Sequence, residues 1–231
     1  MFDVFIIEHR RHSLQNSIKL FKMFKQKFDS VYLLNAAGIT DLSQNIISIG
    51  EYEFINGFNE AFRNFKRKYI LFVDGSLDIY NIDLIKSRLD TLTTKFSDSC
   101  GSYSFHTENY SINEYKKSEI YPKLNQVSYH NLDFFVLEKS IFEKIGLIPC
   151  IPYCDGHGLD WLINWICLKD KKICYLDEIR FFKKIFKSKN NNLQNIQEKS
   201  INFFSNIQRV YELNTEFYNF YQSHIDFLTN S

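Results

Sequence analysis

Residues 69–73, Tyr-Ile-Leu-Phe-Val, are continuously apolar and stop abruptly at Asp74-Gly75-Ser76-Leu77-Asp78. A strand without polar alternation is buried on both faces, so the sheet containing it needs a layer of other elements on each side. The flanking sequence supplies such layers. Val4 to Ile7 reads as a short strand, and Ser13 opens a helix whose Leu14, Ile18, Phe21, Phe24 and Phe28 recur at spacings of four and three. Val31 to Leu34 and Ile46 to Ile49 read as further strands, and Phe54 to Phe65 as a second helix. Strands alternating with helices imply an α/β fold with a mostly parallel central sheet and helices on both faces.

The pattern continues past Asp74 with a helix near Ile82 to Leu92, a strand from Leu132 to Leu137 and a short helix from Lys139 to Ile145, stopped by Gly146. Leu159, Leu162, Ile163, Ile166 and Cys167 mark one face of another helix, and Ile173 to Leu176 a closing strand. Between them, Thr107 to Gln126 is polar and shows no clear period, which predicts a long functional loop or insertion. Gly and Pro together number 11 against 37 Phe plus Tyr, too few turn formers for an all-β fold.

Formal net charge is +1, so no overall field draws nucleic acid, and 21 lysines against 7 arginines favour solvation over bidentate phosphate recognition. No apolar run approaches the ~18 residues of a membrane span. Five cysteines without a CxxC pair read as reduced thiols in a cytosol, and nothing in the opening residues reads as a secretion signal.

In open α/β sheets ligands sit at the carboxyl ends of strands, which selects Glu8-His9-Arg10-Arg11, Asn35 and Asp74 to Asp78. Asp74 and Asp78 offer the hard oxygens that Mg²⁺ or Mn²⁺ takes, yet Asp and Gly are equally ordinary turn residues, and Asp78 or Asn81 can cap the next helix. A strand-end Asp74 is expected at the surface. Asp160 opens a helix behind two glycines, as a base facing a cleft or as a partner of the helix dipole. Trp161 and Trp165 suit sugar stacking or core packing. Cys150, Cys154 and His157 lack a fourth zinc ligand, which favours plain thiols. No partners are evident for His9, His12 and His106.

Taken in order, these segments resemble the GT-A fold glycosyltransferases of bacteria, in particular the large inverting family 2. Residues 67–79, RKYILFVDGSLDI, stand where that family carries its DxD strand; 133–148, DFFVLEKSIFEKIGLI, and 158–176, GLDWLINWICLKDKKICYL, follow in the family's order, and the likeness covers roughly residues 2 to 182. It implies a GT-A-like domain over 1–182 that moves a sugar, with inversion, from a nucleotide-sugar donor to a hydroxyl of a bacterial surface glycan or lipid-linked glycan. Donor-binding residues would be Glu8, Arg10, Asn35, Asp74 and Ser76. Asp74 and Asp78 would hold the metal, Asp160 would be the catalytic base, and Asp155, His157 and Trp161 would meet the acceptor. Two departures stand out. The DxD position reads Asp74-Gly75-Ser76, a hydroxyl in place of the second carboxylate, and the acidic turn after the second strand reads Asn35-Ala36-Ala37-Gly38.

That loss of a carboxylate keeps a second reading open, a catalytically silent relative that binds nucleotide or glycan and assembles through its tail. A nucleotidyltransferase would want a glycine-rich loop after the first strand, which Glu8 to Ser13 lacks. Arg180 to Lys189 places five basic residues beside three Phe, either a peripheral membrane contact at the inner face or core-packing rings with solvated lysines. Beyond it, residues 183–231 form an expected helical tail. Its stripe Phe203, Ile207, Val210, Asn214, Phe217, Tyr221, His224 and Leu228 points to a homodimer, or else to packing on its own domain.

Overall fold

The computed structural model describes residues 1–8, 13–50, 54–107, 115–117, 124–127, 132–149, 156 and 158–183, and beyond these 199, 202, 203 and 219. In chain order the elements are β1 (Phe2–Glu8), α1 (Leu14–Lys25), β2 (Val31–Asn35), β3 (Ile46–Ser48), α2 (Phe54–Asn64), β4 (Tyr69–Asp74), β5 (Leu77–Asp78), α3 (Ile82–Lys95), β6 (Cys100–Thr107), β7 (Tyr115–Lys117), β8 (Leu124–Val127), β9 (Phe134–Glu138), α4 (Lys139–Ile145), α5 (Leu159–Lys169) and β10 (Ile173–Lys183).

One sheet runs in the order β3-β2-β1-β4-β9-β6-β10-β8-β7, with β5 paired to the end of β10. β1, β2, β3 and β4 are mutually parallel, and β6 is parallel to β10. β9 lies between β4 and β6, antiparallel to both, so β6 and β10 keep the direction of β1 to β4 and their carboxyl ends share one edge. Most strands run in the expected common direction, but the sheet is mixed: β9 is reversed at its centre, and β8 and β5 also run antiparallel to β10.

Strand alternation sorts the side chains into two cores. Phe5, Ile7, Ile70, Phe72, Phe135 and Leu137 face α2, α4 and α5. Val4, Ile6, Leu71, Val73, Phe134 and Val136 face α1 and α3. β4 is buried at every position, as its unbroken apolar run requires. On one face Phe72 stacks on Phe58 and on Phe135, with ring centroids 5.2 and 4.7 Å apart, which ties α2 to the middle of the sheet.

Three findings differ from the sequence reading. β6 was not visible because Cys-Gly-Ser-Tyr-Ser-Phe-His-Thr mixes small polar residues with aromatics. Ser102 and Ser104 are nonetheless fully buried under Cys167 and beside Tyr175. Thr107 to Gln126 is not one long loop, since β7 and β8 within it pair with each other and β8 with β10. β10 carries the sheet through Arg180, and there Phe181 is 7% exposed while Phe182 is 48% exposed, so the first ring packs inward and the second does not. Phe186 lies outside the described residues. Among those residues no helix is long and apolar enough to cross a membrane.

Most of the tail also lies outside the described residues. Residues 199, 202, 203 and 219 are helical, and Phe203 is fully buried in the core that faces α2, α4 and α5. At that position the tail packs on its own domain. The homodimer expectation therefore concerns the rest of the stripe. Phe203→Ala should lower the unfolding free energy by about 3–5 kcal/mol in urea, because it empties a ring-sized space in a packed core. Asn219, exposed on the same tail, should tolerate alanine with no measurable change.

Candidate active site

The turn after β4 is built against the start of α1. The Gly75 N–H donates to the Ile7 carbonyl at 2.9 Å, and Asn16 Nδ2 donates to the carbonyls of Gly75 and Leu77 at 2.8 and 2.7 Å. A β-carbon on Gly75 would lie 2.0 Å from Ser17 Oγ and 3.2 Å from the Ile7 carbonyl, so only glycine lets β4 and α1 approach this closely. Asp74 Oδ1 accepts the Ser76 N–H at 2.7 Å, an Asx-type turn that fixes the carboxylate. Asp74 is 2% exposed, not at the surface as expected, and its N–H is held by the Asp133 carbonyl at the entry to β9. Ser76 is fully buried.

Glu8 ends β1 fully buried, its Oε2 accepting the Ala36 N–H at 3.0 Å and its Oε1 the Ser13 hydroxyl at 3.4 Å. Ser13 occupies the N-cap position of α1 but bonds Glu8 instead of capping. Burial pushes the Glu8 carboxyl above its ordinary value, an effect that the Ala36 and Ser13 hydrogen bonds oppose. Asn35 is also fully buried. Its Nδ2 donates to the carbonyls of Ile39 and Ile47 at 2.8 and 3.1 Å, and its Oδ1 accepts the Ile39 N–H at 3.1 Å. This amide shapes the turn after β2, and a single Oδ1 lone pair is what it retains for a ligand.

By alternation Asp74 follows Ile70 and Phe72 and belongs to the face that carries α5. Asp133 precedes β9 directly opposite it, its carbonyl accepting the Asp74 N–H at 2.7 Å. The start of α5 reaches this edge as well. A β-carbon on Gly156 would touch Phe54 at 3.0 Å, and Phe54 opens α2 just after β3. Gly158 takes φ +96° at the N-cap of α5, and Asp160 follows in the first turn, half-buried. Asp74 and the start of the Asp160 helix thus lie on the same face at the carboxyl edge, while Asp133 meets Asp74 through its backbone carbonyl and turns its carboxylate to Thr107.

The remaining expected residues are placed differently. Asp78 alternates outward from buried Leu77 and accepts the hydroxyl of Tyr80, a residue 78% exposed. Trp161 is 9% exposed within the hydrophobic core, which makes it a packing residue. Trp165 is half-buried, with Lys169 Nζ 4.7 Å above its ring. Arg10, His9, His12, Cys150, Cys154, Asp155 and His157 lie outside the described residues. Among the described ones no three His, Cys, Asp or Glu side chains gather to hold a metal. Sequence reasoning missed Asn16 and Asp133, since neither follows a strand. It also missed Asp177, fully buried in β10 and bonded by the Tyr103 hydroxyl with Arg88 Nε at 3.6 Å.

No sequence family matches the chain. No curated protein matches it by sequence either. Solved structures do match it by fold. A mannosyltransferase from Pyrobaculum calidifontis, solved with GDP-mannose and Mn²⁺, aligns over 90% of this chain at TM-score 0.58 and 11% identity. This chain spans 64% of that enzyme's length. Glucosyl-3-phosphoglycerate synthase from Mycobacterium tuberculosis, solved with Mg²⁺ and UDP, aligns over 93% of this chain and 80% of its own, at TM-score 0.56 and 9% identity. The inositol-1-phosphate CTP transferase of T. maritima aligns over 87% of this chain and 96% of its own, at TM-score 0.50 and 10% identity. The chain therefore has the GT-A-like fold of nucleotide-sugar transferases and related nucleotidyltransferases.

A carboxyl whose pKa is raised by folding stabilises the protein fully below its unfolded value, and that contribution is lost as pH rises through the folded one. Glu8 is of this kind. Relative to Glu8→Gln, whose amide oxygen can still accept the Ala36 N–H, the wild type should lose stability as pH climbs above 4.5. Paired urea titrations at several pH values measure this, and parallel profiles would refute it.

Proposed function

We propose that this chain is a glycosyltransferase that moves a sugar from a nucleotide-sugar donor to a hydroxyl of a glycan or lipid-linked glycan, with inversion. What supports the reading is that Asp74 and the start of the Asp160 helix lie on the same face of the carboxyl edge, on a fold shared with donor-binding transferases. Asp74 faces the diphosphate, where oxygen donors of this kind suit Mg²⁺ or Mn²⁺. When bound, such an ion neutralises the charge that builds on the leaving diphosphate. Glu8 and the Asn35 turn bound the nucleotide side, and Arg10, two residues beyond Glu8 in the sequence, would join them.

Asp160 is the base. It takes the proton of the acceptor hydroxyl as that oxygen attacks the anomeric carbon from the face opposite the diphosphate, and the sugar–diphosphate bond breaks with the electron pair leaving on phosphate oxygen. Asp155 and His157 precede α5 in the sequence and would complete the acceptor side. Exposed Phe182 beside exposed Arg180 supports a peripheral contact of this end of β10 with an anionic membrane, which suits a lipid-linked acceptor at the cytoplasmic face.

A nucleotidyltransferase reading is favoured by the CTP transferase likeness and opposed by the absence of glycine from the loop Glu8 to Ser13. Products separate the two: sugar transfer releases nucleoside diphosphate, nucleotidyl transfer releases pyrophosphate. Incubating the chain with a panel of nucleotide sugars and Mn²⁺ should release nucleoside diphosphate. Asp74→Asn and Asp160→Asn should each cut the rate by ~10²-fold or more, Asp160→Asn with donor affinity nearly unchanged. Donor binding without turnover on any acceptor would favour the silent relative, and wild-type rates in both variants would overturn the assignment.

A further inference from the structure

We propose that His106 and Arg180, paired across the ends of β6 and β10, bind a phosphate group carried by the acceptor, so that the chain selects phosphorylated acceptors. The assignment rests on the transferase reading above and narrows its acceptor.

Register carries the argument. Ser102 of β6 meets Cys167 of α5, and alternation puts Ser104 and His106 on that face, while Tyr103 and Phe105 enter the core that faces α1 and α3. β10 runs parallel to β6 with Asp177 opposite Phe105, so an unbroken ladder would set Glu178 opposite His106. Instead the register shifts where Asp177 Oδ1 accepts the Ile179 N–H, and Arg180 stands opposite His106. Phe181, the next residue, returns to the core that faces α1 and α3, which leaves Arg180 on the His106 face. The bulge thus replaces a carboxylate beside the imidazole with a guanidinium. The proposed base overlooks the same strands. Asp160 and Asn164 share one side of α5, and Asn164 Oδ1 accepts the Cys174 thiol of β10 at 3.2 Å. Cys167, at the other end of α5, lies near the start of β6, so Asp160 lies toward the edge where His106 and Arg180 stand.

The chemistry of the pair asks for an anion. His106 Nδ1 is buried and has no hydrogen-bond partner among the described residues, and Arg180, exposed, makes no ion pair among them. A buried ring nitrogen left unmet costs free energy. Burial and the neighbouring Arg180 both hold the His106 pKa below its ordinary value, as expected where a cation faces the ring and no negative charge offsets it. An oxyanion supplies that charge. The guanidinium fork takes two oxygens side by side, which a carboxylate or a phosphate can offer. A phosphate keeps a third oxygen for the imidazole, in the tautomer that carries hydrogen on Nδ1, whereas a carboxylate has none left.

The test follows the His106 ring signal of the full chain by NMR at constant pH, with His106→Gln to assign it. Nucleoside diphosphate and Mg²⁺ are added first, to fill the donor side, and inorganic phosphate is then titrated in. The signal should shift saturably with phosphate and less with acetate. Arg180→Gln, at an exposed position that the fold does not need, should weaken phosphate binding by about tenfold. Lys19→Gln removes an equal charge from exposed Lys19 on α1, on the other side of the sheet, and should bind phosphate as wild type. No saturable shift, equal weakening in both variants, or a response to acetate as strong as to phosphate overturns the assignment. So does a shift produced by phosphatidylglycerol vesicles and not by inorganic phosphate, which would make Arg180 a membrane contact. A His106 signal that moves with the nucleoside diphosphate and no further with phosphate gives the pair to the donor, overturning the assignment and leaving the transferase reading standing. No nucleoside diphosphate binding by the wild type overturns both.

Discussion

The site depends on one buried amide. The turn after β4 leaves the carbonyls of Gly75 and Leu77 pointing into the protein, where an unmet acceptor is costly, and Asn16 supplies both missing donors from the first turn of α1. The contact is possible because residue 75 has no side chain: a β-carbon would collide with Ser17. Together these two residues fix how far the end of β4 stands from the end of β1, and hence where Asp74 can point. Tight closure also accounts for the burial of Asp74. A residue that looks like a surface strand end becomes a buried carboxylate fixed by the Ser76 N–H, and such pre-setting favours charge stabilisation over flexibility.

How much of this could be read from the chain differs by element, for physical reasons. β4 was legible because five consecutive apolar residues have no stable place except between two layers. The α1, α2 and α5 periodicities were legible because each helix has a single apolar face to bury. β6 was not, since on its face toward α5 the buried positions are serines satisfied through sulfur and backbone partners, which interrupts the apolar run that Tyr103 and Phe105 mark on the other face. The reversed direction of β9 was equally hidden, because alternation marks which face a residue takes and carries no sign of direction. For the site, Asp74 and Asp160 were legible as residues after a strand and at the start of a helix. Trp161 was read as a possible platform for sugar, yet its place beside Leu159, Leu162 and Ile163 commits its ring to the core.

The far side of the turn is held by β10, and the cause is again a buried polar group. β10 follows β6 in parallel register through Asp177, then shifts register before Arg180. At the shift Asp177 Oδ1 accepts the Ile179 N–H at 2.9 Å, while the other oxygen takes the Tyr103 hydroxyl and faces Arg88 of α3. Burial raises the Asp177 carboxyl above its ordinary range, and the hydrogen bonds and Arg88 pull against that rise. Such a group persists in a bulge because the bulge supplies the extra donor that a regular ladder would not. Past the bulge, β10 reaches beyond the sheet edge and pairs Phe182 and Lys183 with Asp78 and Leu77. The Asp74 turn is therefore clamped from two directions, by Asn16 of α1 and by the bent end of β10. Movement of the strand that carries the exposed Phe182 would then be felt at Leu77, three residues from the carboxylate.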